Sequence, residues 1–285
     1  MMGPLMDVDT LAARRAAGER TVMLDVRWAL GDPHGREHYL KGHLPGAVFV
    51  DLATELAAPA VAARGRHPLP SRREFEDTAR AWGISNGDVV VAYDNSGNLA
   101  AARLWWMLRN AGFQEVYLLD GGLAAWLGAG QPLEEEPVEA VPGNVSLQDG
   151  KMPAIDAAAA GSWADTGILL DARAGERYRG EFEPVDPRAG HIPGALSAPT
   201  LENVDGSGGF LPAGDLRRRF EGLGITDDAP VAVYCGSGVT AAHEVAALEI
   251  AGIRAALYPG SFSEWSNNPS LPVVTGDRPD GDGRS

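Results

Sequence analysis

The stretch Val231-Ala-Val-Tyr-Cys-Gly-Ser-Gly-Val-Thr-Ala-Ala-His243 decides how the rest of the chain is read. Its apolar run, Val231 to Tyr234, predicts a buried strand that delivers Cys235 to its end. From Thr240 to Ala251 the sequence is Ala-rich, free of Gly and Pro, and closed by Gly252, which predicts a helix. Between the two, Gly236 and Gly238 permit positive φ, so successive N–H groups can turn inward. Cys235 is thus expected in a ring of N–H donors at a helix N-terminus, a setting that favours thiolate over thiol. It is the only cysteine in the chain. A lone cysteine is ordinarily a small buried hydrophobe, but a core cysteine needs no glycine-rich turn behind it. The residues point to a nucleophile that meets anions, without deciding the reaction.

Tyr234-Cys-Gly-Ser-Gly-Val-Thr-Ala241 resembles the active-site loop of the rhodanese (sulfurtransferase) family. Within that family it is most similar to the 3-mercaptopyruvate sulfurtransferases, whose loop reads Cys-Gly-Ser-Gly-Val-Thr. Thiosulfate sulfurtransferases usually read Cys-Arg-Lys-Gly-Val-Thr, with two cations absent here. The related dual-specificity phosphatases close a longer loop with an arginine, Cys-x5-Arg. The sixth residue after Cys235 is Ala241, which counts against phosphoryl chemistry.

Composition sets the outer bounds. At 285 residues, 45 % hydrophobic and 22 % charged, the chain suits one large or two ordinary globular domains. No apolar run approaches the ~18 residues of a membrane helix, and Met1 to Asp7 lacks a basic-then-apolar signal pattern. One cysteine excludes an intramolecular disulfide and suits a reducing cytosol, so a cytoplasmic protein is expected. A formal charge of −15 argues against nucleic acid and membrane as partners. An anionic substrate would then need a local cationic patch. His and Cys spacing offers no ligand cluster, and neither a metal nor an organic cofactor is expected.

The chain repeats itself. Ile168-Leu-Leu-Asp-Ala-Arg173 echoes Met23-Leu-Asp-Val-Arg27, and Gly190-His-Ile-Pro-Gly-Ala-Leu196 echoes Gly42-His-Leu-Pro-Gly-Ala-Val48. Val231 to Cys235 echoes Val89 to Asp94, and Leu257 to Trp265 echoes Leu119 to Trp126. Four landmarks in one order predict a duplicated α/β domain, each copy a mostly parallel sheet with helices on both faces. The expected boundaries are a first domain over 1–135, a linker over 136–153 and a second domain over 154–285. Ser71-Arg-Arg-Glu74 is a capping box that opens a helix to about Trp82. The Gly- and Asp-rich tail from Thr275 to Ser285 reads as mobile. Opposite Cys235 the first copy has Asp94, which cannot form a persulfide, so chemistry is expected in the second copy only. An inactive first copy and an active second one resemble two-domain rhodaneses, and the resemblance covers nearly the whole chain.

In open α/β sheets ligands sit beyond the carboxyl ends of the strands. Arg177, Arg179 and Arg188 follow such an end, and a guanidinium can grip a carboxylate through parallel hydrogen bonds. By resemblance Arg177 falls on the family's substrate-binding arginine, with Arg188 as the counterpart of the second one. The pairs Asp25/Arg27 and Asp171/Arg173 occur in both copies, as do His43 and His191, and these are read as structural. His67 has no counterpart in the second copy. The resemblance implies a Ser–His–Asp relay made of Ser237, His67 and Asp51, while Gly236, Gly238, Val239 and Thr240 line the substrate. The implied function is sulfur transfer from 3-mercaptopyruvate, a small anionic donor, through a Cys235 persulfide. Cyanide, a small thiol or a thioredoxin-like protein would be the acceptor. The rivals are thiosulfate as donor and a non-catalytic persulfide carrier or binding module.

Overall fold

The apolar runs become the strands of two parallel sheets in the computed structural model, which describes residues 3–282. The chain divides into two units. One comprises the residues up to Ala58, Leu69–Met152 and Val204–Phe210; the other comprises Pro59–Pro68, Pro153–Asn203 and the residues from Leu211 onward. Each half of the chain therefore contributes a short segment to the other unit.

The first unit runs β1 (Leu5–Met6), α1 (Val8–Ala16), β2 (Thr21–Asp25), α2 (Gly35–Leu40), β3 (Val48–Phe49), α3 (Leu52–Glu55), α4 (Arg72–Ala81), β4 (Val89–Tyr93), α5 (Ala101–Asn110), β5 (Val116–Leu119) and α6 (Gly122–Gly128). The second runs α7 (Ala157–Ser162), β6 (Ile168–Asp171), α8 (Gly175–Arg179), β7 (Leu196–Ser197), α9 (Ala213–Gly222), β8 (Val231–Tyr234), α10 (Thr240–Ile250), β9 (Ala255–Leu257) and α11 (Ser261–Asn267). Among the described residues the strand orders are β1-β5-β4-β2-β3 and β7-β6-β8-β9, with every pair parallel. No described helix is long and apolar enough to cross a membrane.

Side-chain alternation buries both faces of each sheet, as near-continuous apolar strands require. Met23, Val91, Tyr93 and Leu119 join Leu11 of α1 and Trp126 of α6 in one core. Leu24, Val90, Ala92 and Leu118 are buried on the opposite face, where α5 packs on β4 and β5. In the second unit Leu169, Ala232, Tyr234 and Ala256 pack with Phe262 and Trp265 of α11, and α10 packs on β8 and β9. Helix α10 is buried without a break from Ala241 to Leu248, so its polar residues need internal partners. His243 Nδ1 meets Thr200 Oγ1 at 2.8 Å, and Glu244 accepts from Asn203 Nδ2 at 2.5 Å. Burial pushes the Glu244 carboxyl up.

The duplication is visible bond by bond. Asp25 stands opposite Tyr93 and Asp171 opposite Tyr234. Trp126 Nε1 donates to the Pro132 carbonyl at 2.8 Å, and Trp265 Nε1 to that of Pro272 at 2.7 Å. The His43 ring stacks on Tyr39 at 3.9 Å and the His191 ring on Tyr178 at 3.8 Å. Both histidines are buried with their ring nitrogens against backbone carbonyls, so they brace turns. The Asp/Arg pairs also brace: Arg27 Nη2 donates to the Gly42 carbonyl at 2.5 Å, Arg173 Nη2 to that of Gly190 at 2.6 Å.

Two segments behave differently from their reading in the sequence. The stretch 136–153 is extended but not loose: Val145 and Leu147 are buried, and the Gly143 and Val145 N–H groups donate to the Arg80 and Ile84 carbonyls at 2.8 and 3.1 Å. Its end, Pro153 to Ile155, pairs with Leu257 as an edge of the second sheet, just as Pro4 to Met6 edges the first. Asp7 and Asp156 then cap the following helices. In the tail, the Gly276 N–H donates to the Arg179 carbonyl at 3.0 Å and the Pro279 carbonyl accepts from the Gly194 N–H at 2.8 Å, which ties it to the second unit. The last three residues of the expected mobile tail, 283–285, lie outside the described residues.

At the position of Cys235 in the first copy, Asp94 is fully buried. Its Oδ1 accepts from the N–H groups of Ser96 and Asn98 at 2.7 and 2.8 Å, and its Oδ2 from those of Ala100 and Ala101 at 2.8 and 3.1 Å. The loop after this strand is a basket of amides closed on an internal anion. Asp94→Ala is therefore expected to destabilise the protein by about 2–4 kcal/mol, since buried donors lose their acceptor. Urea unfolding measures this, and an unchanged midpoint would contradict the role given to the carboxylate.

Candidate active site

Strand β8 delivers Cys235 to the corresponding loop of the second copy. The residue is buried, and its Sγ accepts from the Gly238 N–H at 3.2 Å. The loop's carbonyls face the start of α11: those of Cys235 and Gly236 accept from Phe262 and Ser263 N–H at 2.9 and 2.8 Å. Among the described residues the N–H groups of Gly236, Ser237 and Val239 have no partner. Gly238 holds φ +74, and a Cβ there would run into the Pro259 carbonyl. Ser261 takes φ +53, where the first copy has Gly122 at φ +54. A serine in that conformation is strained, and its hydroxyl is what accepts the Cys235 N–H at 3.1 Å. Val239 is buried beside the loop, and Thr240 is half-buried at the first position of α10.

Two guanidinium groups stand over this loop. A Cβ on Gly236 would lie 3.3 Å from Arg177 Nη1 and 3.0 Å from Arg66 Nη2. Arg177, on α8, is aimed by carboxylates behind it: Nη2 donates to Glu183 at 2.6 Å and to Asp186 at 3.1 Å, and Nε donates to Glu183 at 3.2 Å. Glu183 also accepts from Arg173 Nη1 at 3.3 Å. Burial alone would raise the Glu183 carboxyl, but Arg177 and the N–H groups of Asp186 and Val185 outweigh it and hold it low. Asp186 goes the other way. Burial raises it against the pull of Arg66, which donates to it through Nη1.

The structure corrects the placement of Arg188. Its guanidinium donates to four backbone carbonyls, those of Trp265, Ser266, Asn268 and Leu271, at 2.7 to 2.9 Å. That pins the end of α11 and leaves the side chain no free edge for a substrate. Arg179 pairs with Glu181 at 2.8 Å near the surface. The cation beside Arg177 is Arg66, which sequence reasoning missed; its only signal was adjacency to His67.

His67 is brought to the loop, with Nδ1 2.8 Å from Ser237 Oγ in a hydrogen bond. Both belong to the second unit, because Pro59–Pro68 packs there. Asp51 belongs to the first unit, where its carboxylate accepts from the Ala53 N–H at 2.9 Å and caps α3. No cluster of His, Cys, Asp and Glu that could hold a metal ion occurs among the described residues.

Residues 7–129 and 155–268 both match the rhodanese-like domain family. The chain belongs to the rhodanese family. A Mycobacterium tuberculosis protein carrying the name thiosulfate sulfurtransferase SseB is 46 % identical over 95 % of this chain and 97 % of its own length. A Pseudomonas aeruginosa protein named for 3-mercaptopyruvate sulfurtransfer is also 46 % identical, over 96 % of this chain and 98 % of its own. The crystal structure of SseA from Escherichia coli, a 3-mercaptopyruvate sulfurtransferase, superposes with a TM-score of 0.80 at 32 % identity, covering 92 % of this chain and 99 % of that one. This rhodanese is accordingly a sulfurtransferase with two tandem α/β domains.

The carboxylate between the two arginines has a consequence for stability. Because the folded-state value of Asp186 is raised above 3.8, its contribution favours the fold below that pH and is lost as pH rises through the folded value. Arg66→Gln removes one of its two cations. At pH 7 this should cost about 1–3 kcal/mol, and less at pH 4, where more of the carboxyl carries its proton than at pH 7. Urea unfolding at the two pH values tests this, and equal losses would contradict it.

Proposed function

We propose that this rhodanese takes sulfur from 3-mercaptopyruvate onto Cys235 and passes it to a thiol or cyanide. The observation that carries this reading is the 2.8 Å contact of Ser237 with His67 at the mouth of an amide loop that has no cation of its own. Thiosulfate transfer releases sulfite and needs no proton. Cleavage of a carbon–sulfur bond leaves an enolate that does, and a hydroxyl hydrogen-bonded to an imidazole is a device for moving one.

In this reading the Cys235 thiolate attacks the donor's sulfur. The carbon–sulfur bond breaks with its electron pair going to carbon, so the donor leaves as pyruvate enolate. The thiol proton of the donor ends on that carbon by way of Ser237 and His67, giving pyruvate and a persulfide anion. Gly236, Ser237 and Val239 N–H groups, unpartnered among the described residues, are placed to hydrogen-bond the terminal sulfur, as oxyanion donors do for oxygen. Arg177 holds the donor's carboxylate. Gly238, Val239 and Thr240 shape the loop. Asp51 acts as a helix cap, and the relay consists of Ser237 and His67. An acceptor nucleophile (cyanide, a small thiol or a thioredoxin-like protein) then takes the outer sulfur, so the kinetics are ping-pong.

Thiosulfate remains the second reading, favoured by the name of the mycobacterial relative. A donor comparison separates the two. The expected result is a higher kcat/KM for 3-mercaptopyruvate than for thiosulfate, no turnover of either by Cys235→Ser, and a loss of about 10²-fold in kcat for Ser237→Ala with 3-mercaptopyruvate only. A preference for thiosulfate, or a Ser237→Ala enzyme with unchanged kcat, would overturn the donor assignment.

A further inference from the structure

We infer that Arg66, contributed by the first half of the chain, is the second carboxylate-binding cation of the donor site, set at its spacing from Arg177 by the shared carboxylate of Asp186. This rests on the carboxylate donor proposed above. It assigns to Arg66 the place that the sequence suggested for Arg188.

The backbone of Arg66 is anchored to the same residue that positions the cysteine loop. Its N–H donates to Ser263 Oγ at 3.1 Å, while the Ser263 N–H donates to the Gly236 carbonyl at 2.8 Å. The approach is close enough to require glycine before it. Gly65 holds φ +82, and a Cβ there would come within 2.7 Å of both the Gly260 carbonyl oxygen and Ser263 Oγ. Arg66 therefore follows the loop's position through one shared serine.

The side chain is divided in its duties. Nη1 donates to Asp186 Oδ1, and Asp186 Oδ2 accepts from Arg177 Nη2 at 3.1 Å. Asp186 is a bridge between two cations, with its side chain only 1 % exposed. The other terminal nitrogens, Arg66 Nη2 and Arg177 Nη1, have no acceptor among the described residues and lie 3.0 and 3.3 Å from one point, the missing Cβ of Gly236. Arg66 Nε is buried and also without an acceptor. Like-charged groups converge in this way when an anion is to be held between them.

The charge count selects the kind of anion. Glu183 and Asp186 balance Arg177 and Arg66 from behind, so the pair presents aimed donors without a large net charge. A monoanionic carboxylate accepts one hydrogen bond from each arginine, whereas a compact dianion would want uncompensated cations. The glycine at 236, the residue that follows the sulfur nucleophile, leaves the space in which that carboxylate sits.

The test uses Arg66→Gln, Arg66→Lys and, to avoid stranding Asp186 without a partner, Arg66→Gln combined with Asp186→Asn. With 3-mercaptopyruvate, KM should rise about 10- to 100-fold in both Gln variants, with kcat changed far less, and Lys should recover part of the loss. A second readout is independent of the donor. The ratio of Cys235 alkylation rates with iodoacetate and iodoacetamide should fall about tenfold or more in the Gln variants, because only the first reagent carries a carboxylate. If the wild-type protein does not use 3-mercaptopyruvate, the donor assignment fails while the alkylation ratio still judges Arg66. An unchanged ratio in variants that unfold cooperatively, or an unchanged KM in an enzyme that does use 3-mercaptopyruvate, would overturn the inference.

Discussion

A backbone that turns sharply at the end of a buried parallel strand leaves several N–H groups pointing at one spot, and buried donors must be given an acceptor. The rest of this structure depends on how that demand is met. In the first copy the acceptor is built in: Asp94 takes four amides through its two oxygens. In the second copy the residue is Cys235, a single amide reaches its sulfur, and three neighbours have no partner among the described residues. One loop design thus exists once filled and once open. The filled copy is a structural plug, and in the proposed mechanism the open copy receives the outer sulfur of the persulfide.

Keeping the second loop open requires that its carbonyls be held elsewhere. Helix α11 does this by donating Phe262 and Ser263 N–H groups to them, and the strained Ser261 anchors the Cys235 amide. Arg188 secures the other end of the same helix through four carbonyls. From the core outward runs an alternating series of charges, Asp171, Arg173, Glu183, Arg177, Asp186 and Arg66, each in contact with the next. Such a series fixes side-chain directions without accumulating net charge, which is how a chain of formal charge −15 can still present hydrogen-bond donors to an anion.

The repeat was legible because both copies must bury the same sheet in the same way. The Asp/Arg braces, the histidine turns and the two tryptophans recur for packing reasons that leave a mark in sequence. The amide loop around the proposed nucleophile was legible because of the glycines at 236 and 238. What was not legible depended on tertiary placement. Arg66 stands beside Arg177 because the segment 59–68 packs with the second unit, a fact with no local signature. Arg188 looked free because backbone carbonyls as partners cannot be seen in a sequence. The edge formed by Pro153 to Ile155 is too short to show a strand period, and it was read as the end of a linker. Asp186 and Glu183 read as loop acids until their burial between arginines was visible.

The claim on which the account rests is that Cys235 carries the transferred sulfur. Its most direct test is a single turnover of the wild-type protein with 3-mercaptopyruvate and no acceptor, followed by intact-mass analysis and a pyruvate assay. The account predicts an adduct of about 32 Da, one sulfur atom, on Cys235 with one pyruvate released per adduct; with cyanide present from the start the adduct is absent while pyruvate continues to accumulate. Pyruvate formed without any adduct on Cys235 would contradict it.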